Sequence, residues 1–567
     1  MMTAQMAFHP ASCREVEEEA LRALREGRIV ERIRQRDHTL WKPDPREIAD
    51  RLGWLKSPLI MTERLPEIGA FVEAVRAEGF RFVLLLGMGG SSLAPEVFRR
   101  IFGAAPGFLD LAVLDSTDPG AVLGFTERLD VNRTLFVVST KSGGTVETFS
   151  FLRYFYNLAA DRLGNDKAGR HFAAITDPGS ALAELAVARR FRHAFLNDPE
   201  IGGRYSALSF FGLVPAALIG MDTGRLIERA AAAARQEFSE KQRQGAASGA
   251  ALGALLGRLA GQGRDKLTFF FSPSITPFGD WLEQLIAEST GKEGRGILPV
   301  VGEELEGPEA YGPDRCFVFL RAGGDETGEE KLRALAAAGH PVVDLRIADP
   351  YDLGGQCFLW EVATAVAGAR LGINPFDQPD VESAKALARK MIATYREKGE
   401  LPPEEPVLRT PGISVYGPAS AAEVENCLAS FLGQAATGAY AAIQAFVTPT
   451  PRTGEALERL RLAIRARFRL AATVGYGPRF LHSTGQLHKG DAGKGLFIQL
   501  TADDARDVPI PDELGAAASS LSFGILKAAQ AFGDRQALVN AGRRVIRFHL
   551  HGDPVGGIRR LAETLGG

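Results

Sequence analysis

The chain has 567 residues, and at roughly 150 residues per domain that length implies about three or four domains rather than one core. Apolar residues make up 45% and charged residues 24%, ordinary globular proportions that exclude a mainly disordered or fibrous protein. With 66 basic against 69 acidic residues the net charge is −3, so no basic excess draws the chain to nucleic acid.

The first 60 residues are highly charged and carry a helical pattern (R-E-V-E-E-E-A-L-R-A-L-R-E-G-R-I-V-E-R-I-R-Q-R), which predicts a helical arm. Their opening, M-M-T-A-Q-M-A-F-H-P, has no charged segment followed by an apolar core, so no secretory signal is expected. Short apolar runs then alternate with helical stretches: R-F-V-L-L-L-G (81–87), L-D-L-A-V-L-D (109–115), T-L-F-V-V-S-T (134–140) and F-A-A-I-T (172–176). Runs that are apolar throughout suit strands buried on both faces of a parallel sheet. Their alternation with helices predicts a doubly wound α/β layer. The longest apolar stretch, 210–221, contains Pro215 and is too short to cross a bilayer.

The pattern recurs in K-L-T-F-F-F-S (266–272), R-C-F-V-F-L (315–320) and P-V-V-D-L-R-I (341–347), a second copy of the same architecture. A proline-rich joint at 400–407 precedes I-S-V-Y (413–416), A-A-I-Q-A-F-V (441–447), G-L-F-I-Q-L (495–500) and R-V-I-R-F-H-L (544–550), which suggest a third α/β domain. The expected division is a helical arm (1–60), two doubly wound parallel-sheet domains (61–240 and 241–400) and a C-terminal α/β domain (401–567). Cys13, Cys316, Cys357 and Cys427 are widely spaced and fit no metal-ligand pattern, which suggests a reducing, cytoplasmic setting without disulfides, metal or membrane.

Four segments carry candidate chemistry. G-M-G-G-S-S-L-A-P (87–95) closes the first strand and opens a helix; its glycines bring backbone amides close to a ligand, and the helix N-terminus favours an anion. A dinucleotide fingerprint competes with that reading, but its third glycine falls on Ser92 and the acidic residue, Asp115, comes later than about 20 positions on. A purely structural turn is the third reading. V-V-S-T-K-S-G-G-T-V-E-T (137–148) ends the third strand with Ser139, Thr140, Ser142, Thr145 and Thr148. At the neighbouring strand end these hydroxyls suit a phosphate monoester, although they would serve equally as helix caps.

G-G-R-Y-S (202–206) precedes an apolar helix for which Ser206 is the expected N-cap, with Arg204 beside the positive helix end, facing a small anion or pairing at the surface. In F-G-D-W-L-E-Q-L-I-A-E-S-T-G-K (278–292), Trp281, Leu285 and Glu288 share one helix face. Desolvation and the helix C-terminus would raise the Glu288 pKa toward the range of a general base; the alternative is a glutamate that caps Lys292 or Ser289.

Taken together, G-M-G-G-S, S-T-K-S-G-G-T-V-E-T, G-G-R-Y-S, E-S-T-G-K and F-D-Q-P-D-V-E-S-A-K (376–385) resemble the motifs of the phosphoglucose isomerase family, in the family's order over about residues 80–390. With H-T-L-W-K-P-D-P near the start and F-L-H-S-T-G-Q-L-H-K-G late in the sequence, the chain looks like the isomerase half of bacterial transaldolase–isomerase fusions, here expected to carry the isomerase activity alone. The resemblance implies two sugar-isomerase domains. It also implies reversible conversion of glucose 6-phosphate to fructose 6-phosphate through a cis-enediol, in glycolysis and gluconeogenesis, with no cofactor.

It further implies that Gly89, Gly90 and Ser91, with Thr140, Lys141, Ser142 and Thr145, hold the phosphate. Glu288 would move the proton between C2 and C1, Arg204 would stabilise the enediolate, and Lys385 would assist at the ring oxygen or the phosphate rather than simply pairing with Glu382. Two positions depart from the family: Gly144 stands where a third threonine is frequent, and no histidine occurs between His340 and His482. His488, in T-G-Q-L-H, is therefore expected to open the sugar ring, with His482 as the second choice. The expected partner is a small sugar phosphate, and a homodimer is compatible with the resemblance. Isomerisation of another sugar phosphate, non-catalytic sugar-phosphate sensing and dinucleotide-dependent redox chemistry are the competing functions.

Overall fold

The structure, a computed structural model, describes residues 5–9, 14–239, 248–418 and 423–566. Cys13 and the expected 240/241 boundary lie outside these residues; Cys316, Cys357 and Cys427 are buried thiols.

The N-terminal arm differs from the all-helical expectation. It opens on a strand, β1 (Gln5–His9), and only then enters the helices Arg14–Glu26 and Ile29–Arg34. Five residues are too few for the helical charge pattern downstream to reveal a strand, and its partner lies more than 300 residues away.

The first sheet is wholly parallel. It holds β2 (Phe82–Gly87), β3 (Asp110–Leu114), β4 (Thr134–Ser139), β5 (Phe172–Thr176) and β6 (His193–Leu196), in the order β3-β2-β4-β5-β6. Successive side chains on a strand point to opposite faces, and both faces are packed. Val83, Leu85, Leu135, Val137 and Ile175 enter the large core shared with the second sheet. Leu84, Leu86, Phe136, Val138 and Phe172 enter a separate core against the helix Val146–Leu163. Continuous apolar runs are what two covered faces require.

The second sheet holds β7 (Lys266–Phe271), β8 (Leu298–Val300), β9 (Arg315–Ala322) and β10 (Val342–Ile347) in parallel, with β1 added antiparallel to β10 at the edge, in the order β1-β10-β9-β7-β8. Leu267, Phe269, Val318, Leu320 and Val343 continue the core begun by the first sheet.

The third sheet comprises β11 (Leu408–Thr410), β12 (Ile413–Tyr416), β13 (Tyr440–Phe446), β14 (Ala471–Tyr476), β15 (Gly495–Ala502) and, after a small ladder of β16 (Pro509–Ile510) with β17 (Leu521–Ser522), β18 (Arg544–Leu550). Its order is β11-β12-β18-β15-β13-β14, with β12 to β18 and β11 to β12 antiparallel and the rest parallel. One face has its own core, which includes Ile443, Ile498, Ile546 and Phe548. Ala442, Phe497 and Val545 on the other face pack with Ala287, Leu298 and Val300 of the second unit. Buried polar contacts fasten this third unit to the first: Lys527 Nζ lies 2.9 Å from Asp118 Oδ2, and Thr117 Oγ1 donates to Gln530 Oε1 at 2.8 Å. The fold is thus α/β, two doubly wound sheets plus a third C-terminal α/β unit. No helix among the described residues is long and apolar enough to cross a membrane.

Candidate active site

The two loops singled out in the sequence lie side by side because β2 and β4 are neighbours, with Gly87 in register with Ser139. Beyond Gly87 the chain makes a tight turn, Gly89–Ser91, and enters the helix Leu93–Phe102. Gly89 has φ +54°, a region costly for a side chain. Gly90 is needed for a different reason. A Cβ there would stand 2.1 Å from the Gly203 carbonyl oxygen, so the turn presses backbone to backbone against the segment that carries Arg204. Ser139 Oγ donates to the Ser91 carbonyl at 2.9 Å and ties the two loops together.

In the second loop Gly143 has φ +64°, and the hydroxyls of Thr140 and Thr145 meet at 3.0 Å. Thr145 is the N-cap residue of the helix Val146–Leu163 yet makes no capping bond with its side chain. Lys141 turns away from the loop: its ammonium pairs with Asp177 and donates to the Pro199 carbonyl at 2.7 Å.

Arg204 sits in the turn Gly203–Tyr205 and is 3% exposed. The cap differs from the expected Ser206: the apolar helix begins at Phe210 and is capped by Ser209, while Ser206 Oγ donates to the Gly203 carbonyl at 2.6 Å. Arg204 itself reaches the second unit. Its Nε donates to Ser289 Oγ at 2.7 Å, Nη1 to Gln378 Oε1 at 2.9 Å, and Nη2 to the carbonyls of Pro375 and Asp377 at 2.7 and 2.9 Å. Nη1 also lies 3.4 Å from Glu288 Oε1, with the two side chains only 2% and 14% exposed.

Glu288 lies in the last turn of the helix Phe278–Thr290. Gln284, one turn earlier, donates from Nε2 both to Glu288 Oε2 at 3.0 Å and to the His482 carbonyl at 2.8 Å. His482 ends the turn Arg479–His482 and lies beside Gly89, whose added Cβ would be 2.9 Å from the histidine's own Cβ. Its Nε2 is 2.9 Å from Glu147 Oε1. Glu147, just inside the helix that follows the hydroxyl loop, also accepts from Gln530 Nε2 at 2.6 Å. Burial pushes this carboxyl up, but the His482 imidazole and the local hydrogen bonds hold it below the ordinary value.

These groups form a relay from Arg204 through Glu288, Gln284 and His482 to Glu147, built from all three units. A cavity of ≈ 270 Å³ lies at its Glu147 end, lined by Ser142, Thr145, Glu147, Lys385 and His482, among others. Arg204 and Glu288 do not line it; Gln284 connects them to it. Lys385 reaches the cavity wall while its ammonium pairs with Glu382 at 2.7 Å.

His488 is elsewhere. It lies in the short helix Gly485–Gly490, is 2% exposed, and is enclosed by Tyr440, Phe480 and Phe497. Its Nδ1 is 3.3 Å from Gln444 Nε2, and its Nε2 has no partner. Burial, with Lys489 and Arg543 nearby, drives its pKa well below the ordinary histidine value, so the ring is neutral. The preference for His488 over His482 followed the G-Q-L-H spelling; the chain turns that residue into the apolar interior and brings His482 to the cavity.

Sequence reasoning passed over Glu147, Gln284 and Gln530. Glu147 was visible inside the hydroxyl-rich segment, and Gln284 lies four residues before Glu288, on the same helix face. Nothing local marks Gln530, whose partner Glu147 is 383 positions distant.

Residues 64–296 match the phosphoglucose isomerase family profile. That span contains both loops, Arg204 and Glu288. A glucose-6-phosphate isomerase of Thermus thermophilus is 30% identical over 396 residues, 61% of this chain and 91% of the relative. One from Rubrobacter xylanophilus is 29% identical over 388 residues, 60% of this chain and 89% of the relative. Among solved structures, a hypothetical protein from Thermus thermophilus superposes with TM-score 0.58 at 27% identity, covering 69% of this chain and all of the other. The glucose-6-phosphate isomerase of Chlamydia trachomatis also gives TM-score 0.58, at 20% identity over 70% and 89% of the two chains, a likeness of fold. With its two loops, its arginine and its glutamate inside the matched region, the chain belongs to the phosphoglucose isomerase family.

Proposed function

We propose that the chain is a glucose-6-phosphate isomerase, interconverting glucose 6-phosphate and fructose 6-phosphate through a cis-enediol. The observation that carries this reading is the ion pair at 3.4 Å between buried Arg204 and largely buried Glu288, joined by Gln284 to the His482 carbonyl. Aldose–ketose isomerisation needs one base that takes a proton from C2 and returns it to C1, and a fixed positive charge for the oxyanion formed between those steps. Glu288 is the base. Arg204, its other donors held by Ser289, Gln378 and two carbonyls, supplies a charge that need not reorganise as the enediolate forms.

Ser142 and Thr145 bind the phosphate from the cavity wall, with the Gly89–Ser91 turn beside them, and Lys385 supplies a cation at the same cavity. Lys141, committed to Asp177 and Pro199, contributes by bracing the loop. Ring opening requires a group that exchanges a proton with the ring oxygen; we assign it to His482, oriented by Glu147, rather than to His488. Since the third unit supplies this histidine from the same chain, ring opening in this reading needs no histidine from a partner subunit. The division at 60, 240 and 400, the cytoplasmic setting and the kinship with the isomerase half of transaldolase–isomerase fusions belong to the same proposal.

The test is a coupled assay of the purified chain, fructose 6-phosphate in and glucose 6-phosphate read through its dehydrogenase. No turnover on either hexose phosphate, with turnover on another sugar phosphate, would replace this reading.

A further inference from the structure

At the far end of the third sheet, three side chains outside the isomerase machinery converge. β15 and β18 are parallel neighbours with Thr501 opposite His549. His551 follows His549 by two residues, so both imidazoles project from the same face, and their ring centres are 4.6 Å apart. Asp503 follows the end of β15 and places one carboxylate oxygen 2.9 Å from His549 Nε2 and the other 3.1 Å from His551 Nδ1. Among the described residues, this is a set of three side chains whose potential ligand atoms all lie within 4.8 Å of one another.

The nitrogens that face away from Asp503 are also engaged: His549 Nδ1 lies 2.9 Å from Thr501 Oγ1, and His551 Nε2 lies 3.0 Å from Ser414 Oγ. Without a cation the inner nitrogens donate to the Asp503 carboxylate; because a hydroxyl can donate or accept, Thr501 and Ser414 can take up the outer N–H groups when the inner nitrogens ligate, the outer-shell support that metal-binding histidines share. Tetrahedral zinc, with bonds of about 2.0–2.1 Å to nitrogen and oxygen, sets neighbouring ligand atoms about 3.3 Å apart, close to the two nitrogen–oxygen spacings found here.

We propose that Asp503, His549 and His551 form a binding site for a zinc-class divalent cation. Two imidazoles and a carboxylate suit zinc or cobalt better than calcium or magnesium, which prefer an all-oxygen shell. Three protein ligands leave a fourth position open. Both histidines also line a cavity of ≈ 370 Å³ at the carboxyl ends of the sheet's parallel strands, so that position has room for water or a small ligand. The Asp503 side chain is 59% exposed, which gives the ion a path in.

The test uses the full chain, stripped with EDTA and desalted, then titrated with Co2+ and followed by visible absorbance, and with Zn2+ in a calorimeter. The expected result is one equivalent of either ion, the intense cobalt band of a four-coordinate site, and a melting temperature that rises with zinc and falls again on chelation. Asp503→Asn, at an exposed position, and His551→Ala abolish the band, while Ser414→Ala and Thr501→Val weaken binding about 10-fold. Isomerase activity, unchanged in all four, reports that each variant is folded. Absence of binding to the stripped wild-type chain, or binding undiminished in Asp503→Asn and His551→Ala, would overturn the site and leave a hydrogen-bonded cluster in its place.

Discussion

Gly90→Ala is the smallest change that should disable the site without touching a reacting group. The added Cβ would stand 2.1 Å from the Gly203 carbonyl oxygen and 2.9 Å from the Arg204 nitrogen, where ordinary contact begins at 3.4 Å. The obstacles are backbone atoms, so clearance needs a relative shift of more than about 1 Å between the glycine turn and the arginine segment, at a cost of about 1–3 kcal/mol in stability. Arg204 holds its partners at 2.7–2.9 Å. A displacement of about 1 Å would break that alignment and lower kcat/KM about 100-fold. Gly203→Ala, across the same contact, meets no heavy atom within 4 Å and should leave kcat/KM within about two-fold. The coupled assay and a thermal melt on both variants measure the contrast. Wild-type kcat/KM in Gly90→Ala, or equal losses in the two variants, would refute the close-approach argument.

Ser142→Ala with Thr145→Ala should raise KM and leave kcat nearly unchanged, because the phosphate contacts are alike in ground and transition states; steady-state kinetics would show the opposite split if these hydroxyls served the chemistry. His482→Ala should cut turnover of cyclic glucose 6-phosphate about 10²–10⁴-fold while sparing C2 proton exchange on an open-chain analogue, whereas His488→Ala should keep turnover and lower the melting temperature. Glu361 is fully buried with neither carboxylate oxygen hydrogen-bonded, and burial holds its pKa well above the ordinary value. A carboxyl raised on folding costs stability above its unfolded pKa and nothing below it, so Glu361→Gln should raise the melting temperature at pH 8 and lose that advantage as the pH falls toward 4.

The most legible strands are those whose faces are both covered, although the edge strand β3 is readable from its apolar residues alone. β2, β4 and β5 bury essentially every residue after Phe82, and no helix period can hide in such a run. β6, with its half-exposed H-A-F-L, and the three-residue β8 lack that signal. β14 ends in partly exposed residues, and the five-residue β1 pairs with β10 and packs Met6 and Phe8 on the core, contacts made with residues distant in sequence. The glycine turn, the hydroxyl loop, Arg204 and Glu288 could be read because each carries local chemistry at a strand or helix end. The histidine could not. His482 and His488 are six positions apart, one ending a turn and the other in the short helix after it, and their difference lies in which of them meets Glu147, 335 positions away from His482.

The proposed reaction depends on Glu288 carrying the proton between C2 and C1. Its most direct test is Glu288→Gln in heavy water, with deuterium at C2 of glucose 6-phosphate followed by NMR and sugar-phosphate binding measured on the same sample. Exchange and turnover should fall together by about 10²–10⁴-fold while binding stays near wild type. Exchange at the wild-type rate in that variant would contradict it.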